Sequence, residues 1–168
     1  CSHLCYKFGG HKYAIGLTIK KENFSSFITL FSEVVDNTIK TKDTIPVIKI
    51  DTAIDIRKVT PKFHSVIKQF APFGPKNNAP VFLSKELEFD QDVRRLGKDK
   101  SHLKINIKRE KDYISAIGFG LAHKLNITNN KQLLHLCYTV IKNEWNGQEK
   151  IELRMIDFKN HKLPNSSA

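Results

Sequence analysis

Leu103, Ile105 and Ile107 alternate one for one with His102, Lys104, Asn106 and Lys108. Successive residues of a strand point to opposite faces, so a period of two describes a strand half in a core and half in water. The alternation recurs at Leu87 and Phe89 against Glu86, Glu88 and Asp90, and apolar runs occupy residues 114–119, 133–142 and 151–158. Asn146-Gly147 separates the last two runs and is the strongest hairpin marker in the chain, since both residue types tolerate the positive φ of a tight turn. Residues 121–125 leave room for a short helical piece. Five or six short strands with one small helix predict a compact barrel from residue 81 onward.

Upstream the periods change. Phe63, Val66, Ile67 and Phe70 fall on one face of a three-turn helix, and Thr60-Pro61 supplies a cap followed by proline at the first helical position. Pro72, Gly74 and Pro75 end that helix, so residues 71–82 are expected to be an ordered loop. Residues 46–54 alternate as a half-buried strand, and residues 40–44 are short and polar, a linker. Residues 22–39 carry Phe24, Phe27, Ile28, Phe31, Val34 and Val35 at helical spacing, a core stripe that should pack on a strand over residues 13–20. Asn23 is placed to cap this helix, and Lys40 and Lys42 stand at its negative end. The five-stranded OB-fold is the leading architecture for the barrel, and such barrels commonly bind oligonucleotides across strands two and three.

Charge points the same way. The 168 residues carry a formal net charge of +11, which favours polyanionic partners. Between Val93 and Lys111 eight basic residues (Arg94, Arg95, Lys98, Lys100, Lys104, Lys108, Arg109, Lys111) stand against Asp99 and Glu110. A second block, Arg57, Lys58, Lys62, Lys68 and Lys76, contains no acid between its ends. His102, Lys104, Asn106 and Lys108 share one face of their strand, and that face is either a solvated exterior or a track for a phosphate backbone. Arg94, Arg95, Lys98, Lys100, His102, Lys104 and Lys108 are the candidate nucleic-acid contacts. Tyr113, Phe119, Tyr138 and Trp145 are the aromatics near that face, with Phe119 placed in the core rather than in a stack.

Three cysteines predict a reducing, cytoplasmic setting rather than a disulfide framework. Cys137 reads as core. Cys1, His3, Cys5 and His11 lack a paired C-x2-C spacing, so structural zinc is disfavoured. No apolar run approaches the ~18 residues of a membrane helix. No Asp/His cluster of the kind two-metal hydrolysis requires occurs in the chain.

The stretch from Phe8 to Gly16, FGGHKYAIG, reads as a tight glycine loop feeding a strand. Gly9 and Gly10 at positive φ would turn backbone N–H groups into an anion-binding concavity, with His11 as an added donor. GGHKYAIG resembles the GGHxxAAG motif of the DHH-associated domain of DHH-family phosphoesterases, with Ile15 where that family has its second alanine. Downstream of this motif come an amphipathic helix, PFGPKNNAPVF, the HLK tract at His102 to Lys104, and NEWNG. The order of these segments is similar to the C-terminal part of RecJ-like single-strand-specific exonucleases, over nearly the whole chain.

The resemblance implies an α+β chain: the C-terminal piece of a DHH-associated α/β domain (1–45), an OB-fold-like five-stranded β-barrel (46–160) and a disordered tail (161–168). Beginning at Cys1, the chain is expected to be a fragment. By the same resemblance Gly9, Gly10 and His11 hold a substrate phosphate. The parent would be a metal-dependent exonuclease acting on single-stranded DNA from 5′ to 3′ in repair and recombination. Its Mn²⁺ or Mg²⁺ would sit in a separate catalytic domain, leaving this fragment a monomeric, inactive gripping part. Two alternatives stay open: another DHH-type phosphoesterase acting on oligonucleotides or cyclic dinucleotides, and a non-catalytic OB module that binds RNA or protein.

Overall fold

The computed structural model describes residues 1–11, 13–39, 45–125 and 132–162, without the side chains of Gln132, Trp145 and Lys162. The expected linker over 40–44, the helix-end lysines Lys40 and Lys42, the aromatic side chain of Trp145 and the tail from 163 lie outside the described residues. The chain divides into two compact units, Cys1–Ile48 and Lys49–Ala168.

In the first unit, the glycine stretch is a hairpin and not a loop. β1 (Cys5–His11) and β2 (Ala14–Ile19) run antiparallel, with Gly9 opposite Gly16, Gly10 opposite Ile15 and His11 opposite Ala14. Neither Gly9 nor Gly10 is among the positive-φ residues, so the expected anion concavity built on left-handed glycines is corrected. Gly10 answers to close approach instead: a Cβ there would lie 2.3 Å from the Ala14 carbonyl oxygen. α1 (Phe24–Thr38) comes next, one residue shorter than expected at its C-terminal end. Asn23 occupies the N-cap position without capping: its backbone is already helical (φ −89°, ψ −7°) rather than extended, and its side-chain amide donates to the Leu4 carbonyl (3.4 Å). The expected core stripe also needs correction. No residue of α1 is buried within this unit, and Phe24, Ile28, Phe31 and Val34 are all exposed. A two-stranded ribbon has too little area to cover such a helix.

The second unit is built on a mixed sheet. Its strands are β3 (Thr52–Ala53), β4 (Phe82–Leu87), β5 (Arg94–Leu96), β6 (His102–Lys108), β7 (Tyr113–Gly118), β8 (Gln132–Trp145) and β9 (Gln148–Lys162), in the order β3-β4-β8-β9-β7-β6-β5. The strand expected over 46–54 shrinks to the two residues of β3, parallel to β4. Asp55 ends it by accepting from the Arg57 N–H and opening a 3-10 turn, Ile56–Lys58. α2 (Pro61–Lys68) starts as its sequence predicts, with Thr60 Oγ1 accepting from the Phe63 N–H (3.2 Å). Only half of its expected apolar face is used: Phe63 meets the Phe82 ring at 5.3 Å and Ile67 is buried, but Val66 and Phe70 are exposed.

β4 changes partners along its length. Its register with β8 shifts between Ser84 and Leu87, where Glu86 takes φ 55°. Such a bulge bends a strand and sharpens its twist. Beyond it, Lys108 N–H donates to the Glu88 carbonyl (2.8 Å) and Asp90 N–H to the Asn106 carbonyl (2.9 Å), so the same chain segment bonds to β6. β8 and β9 form a longer ribbon than expected, turning at Asn146 (φ 51°) and Gly147 (φ 73°). β9 reaches Lys162, two residues beyond the expected barrel limit at 160. β7 and β9 pair in parallel, which sets Ala116 beside Leu153.

The core draws one face from each strand: Leu103, Ile105, Ile107, Ala116, Leu134, Leu136 and Leu153 are wholly buried. Tyr138, expected near the binding face, is also buried there, tilted 6.1 Å from the Phe82 ring. Ser84 Oγ donates to the Ile54 carbonyl (2.7 Å), so the Tyr138 hydroxyl is the donor in its 2.8 Å bond to Ser84. Cys137, one step along β8, is half-buried rather than core. Burial pushes the Tyr138 phenol up to about 12. Above its ordinary pKa of ~10 the unfolded chain therefore sheds a proton that the folded chain keeps. Stability should fall as pH rises from about 10 to about 12, by up to ~1.4 kcal/mol per unit, and Tyr138→Phe should remove this component. Urea denaturation of both proteins at two alkaline pH values checks it; parallel losses would show that Tyr138 is not responsible.

Candidate nucleic-acid interface

β6 positions the basic side chains as its alternation requires: Leu103, Ile105 and Ile107 go inward, and His102, Lys104, Asn106 and Lys108 stay on the outer face. Pairing extends that face sideways. Arg94 of β5 lies opposite Lys104, Lys104 opposite Ile117 of β7, and Ile117 opposite Arg154 of β9. One row across four strands thus carries three cations. Arg95 lies opposite Leu103 and so falls out of this row. Lys98 and Lys100 sit on the turn between β5 and β6, where Gly97 (φ 92°) and Lys100 (φ 55°) take left-handed backbone.

Phe119, just past β7, is exposed on this face at 54%, which corrects its expected place in the core. The Arg154 guanidinium lies 5.6 Å from its ring centroid, and the His102 ring meets it edge-on at 5.1 Å. His102 Nδ1 accepts from the Gly120 N–H (3.2 Å), so its proton stands on Nε2, as a donor. Tyr113 is likewise exposed at the far end of β7.

Several expected contacts are already engaged. Lys104 Nζ lies 3.0 Å from Glu152 Oε1, and Lys108 Nζ lies 2.9 Å from Glu88 Oε2, a carboxylate that holds the Lys108 ammonium above its ordinary pKa. Arg94 pairs with Asp92 at 2.8 Å, which raises the guanidinium pKa. In the second basic block Arg57 joins Asp55 to Glu110. Arg95, Lys98 and Lys100 have no ion pair among the described residues. Exposed pairs exchange partners at little cost, so Arg94 and Lys108 remain available to a polyanion, whereas the Glu152 partner of Lys104 is buried.

Arg154, Glu152 and Asn143 belong to this face and were missed in the sequence. Arg154 and Glu152 reach it through the parallel pairing of β7 with β9, which links residues about three dozen positions apart, and Asn143 through β8, antiparallel to β9. Gly9, Gly10 and His11 lie in the other unit, where His11 Nδ1 accepts from the Tyr13 N–H (3.2 Å). Among the described residues no three His, Cys, Asp or Glu side chains are grouped to hold a metal ion, so these residues do not fit a metal centre. No helix among them is long and apolar enough to cross a membrane.

The sequence profile of the RecJ OB domain matches residues 50–157. The single-stranded-DNA-specific exonuclease RecJ of Bacillus subtilis is 28% identical over 157 residues, covering 94% of this chain and 20% of that protein. The enzyme of the same name from Haemophilus influenzae is 26% identical over 158 residues, covering 93% of this chain and 27% of the relative. The chain thus spans about a fifth to a quarter of the length of these relatives. In three dimensions it is similar to RecJ from Thermus thermophilus, solved in complex with Mg²⁺, with TM-score 0.69 and 19% identity over 96% of this chain and 24% of that one. At that identity the likeness speaks for the fold. A mixed sheet with this pairing and a profile spanning most of the chain agree, and the chain belongs to the RecJ family through its OB domain.

Proposed function

We propose that the chain is the substrate-gripping C-terminal part of a RecJ-like exonuclease, degrading single-stranded DNA from 5′ to 3′ in cytoplasmic repair and recombination. The observation that carries this reading is the exposed Phe119 ring under Arg154, set in a row of cations across β5, β6, β7 and β9. A single strand needs both elements, a π-face for its bases and positive charge along its phosphates. In this reading the bonds from residues 88–90 to β6 close β4, β8, β9, β7 and β6 into a five-stranded OB-like barrel over 46–160. Residues 1–45 are then a piece of a DHH-associated domain, in which Gly9, Gly10 and His11 hold a phosphate near the scissile bond. His11 Nδ1 is engaged by Tyr13, so Nε2 is the nitrogen that donates to that phosphate. Hydrolysis, with Mn²⁺ or Mg²⁺, belongs to another domain of the parent, and the chain alone acts as an inactive monomer.

Salt dependence tests the face. Log affinity for a single strand falls with log salt by about 0.7 per phosphate neutralised. Lys98→Gln with Lys100→Gln removes two cations without described ion pairs and should flatten the slope by about 1.4. Lys104→Gln with Lys108→Gln should flatten it less, since Glu152 and Glu88 already pair with those ammonium groups. Lys20→Gln with Lys21→Gln, in the first unit, is the control. A control pair that matters as much as the turn pair or the strand pair would reduce the interaction to diffuse attraction and remove the assignment.

A further inference from the structure

Glu152 is a buried acid on a face that is otherwise cationic. Its side chain retains 7% exposure and borders a groove of about 610 Å³ with Tyr113, Asn106 and Asn143. Oε1 accepts from Ser115 Oγ (2.9 Å) and pairs with Lys104 Nζ (3.0 Å); Oε2 accepts from the Asn143 amide at 3.2 Å. A phosphodiester placed here would face a like charge in a poorly solvated setting, so a phosphate track along β6 is interrupted at this point. A base edge meets the opposite situation. An ionised carboxylate has about four lone-pair sites, all acceptors, and one described bond reaches Oε2.

The chemistry of the bases then separates them. Guanine presents N1–H and the N2 amine side by side, matching the two oxygens of a carboxylate. Thymine presents one N–H between two carbonyl oxygens, which a carboxylate repels. We propose that this groove is a nucleobase subsite in which Glu152 accepts from adjacent N–H donors, taking guanine before thymine. The phosphates pass outside it, along Arg154 and Arg94. The assignment rests on the reading of this face as a single-strand surface.

The test uses the whole chain, a labelled oligothymidylate and the same oligomer carrying isolated guanines, followed by fluorescence anisotropy over a range of salt. A good bidentate base contact discriminates by ~1–3 kcal/mol, and competition from Ser115, Lys104 and Asn143 places the expectation at the low end, about fivefold tighter binding with guanine. Glu152→Gln should bring the two oligomers within about twofold, while tightening oligothymidylate binding and steepening its salt dependence, because Lys104 is released to a phosphate. Competition by free dGMP against TMP on the wild-type chain asks the same question without a variant, should Glu152→Gln unfold. Equal binding of both oligomers, equal competition, or a preference that survives in folded Glu152→Gln would overturn the subsite while leaving the face intact. Salt-insensitive binding, or none, would overturn the face itself and the subsite with it.

Discussion

Phe119→Ala combined with Arg154→Glu is expected to weaken single-strand DNA binding about a hundredfold, from a loss of ~3 kcal/mol at ~1.4 kcal/mol per decade. Stacking of one base on an aromatic face contributes ~1–3 kcal/mol. The exposed cation–π contact contributes ~0.5–1 kcal/mol by holding the guanidinium over the ring. Reversing the charge of Arg154 then replaces an attraction to phosphate with a repulsion. The two groups touch, so the single substitutions should not add: each removes part of what the other needs, and the double variant should lose less than the product. Salt separates the roles. Arg154→Glu should flatten the salt dependence, whereas Phe119→Ala should lower affinity by a similar factor at every salt concentration. Phe119 is 54% exposed and Arg154 is exposed, so neither change should move the melting temperature appreciably. Wild-type affinity in both single variants would move the binding site off this face.

What the sequence made legible was local. The alternation of β6, the Thr60-Pro61 helix start and the Asn146-Gly147 turn each depend on neighbours within a few residues, and each is found where it is expected. What it concealed depends on pairing between distant segments. Phe119 read as core because it ends an apolar strand; only β9, arriving in parallel beside β7, shows that its ring lies on the outer face under Arg154. Tyr138 read as surface-facing for the complementary reason. Its hydroxyl finds Ser84, 54 positions away, and that bond lets a phenol sit at zero exposure. The basic track was visible as a set of residues but not as an electrostatic state. Glu152 and Glu88, which pair with Lys104 and Lys108, come from β9 and from the segment after β4. Glycine misled most directly: Gly9 and Gly10 suggested a left-handed loop, whereas Gly10 serves a close approach to Ala14 across a hairpin.

One step along β9 separates binding from folding. Leu153 points inward at zero exposure, beside Ala116 of β7 and Val140 of β8, while Arg154 points out. Leu153→Ala removes three carbons from the centre of the core, where neighbours on three strands cannot all collapse into the space. The loss should be ~3–5 kcal/mol, as for buried leucines elsewhere. At ~3–5 °C per kcal/mol, between the values for smaller and larger domains, the melting temperature should drop by roughly 10–20 °C. Arg154→Ala should leave stability within ~0.5 kcal/mol. It should nonetheless weaken single-strand binding severalfold, through one lost phosphate contact and a Phe119 ring without its cation. Differential scanning calorimetry and anisotropy titrations on the two variants together decide the matter. A thermally unaltered Leu153→Ala, or an Arg154→Ala that loses stability in step with affinity, would show that the two faces of β9 have been assigned the wrong way round.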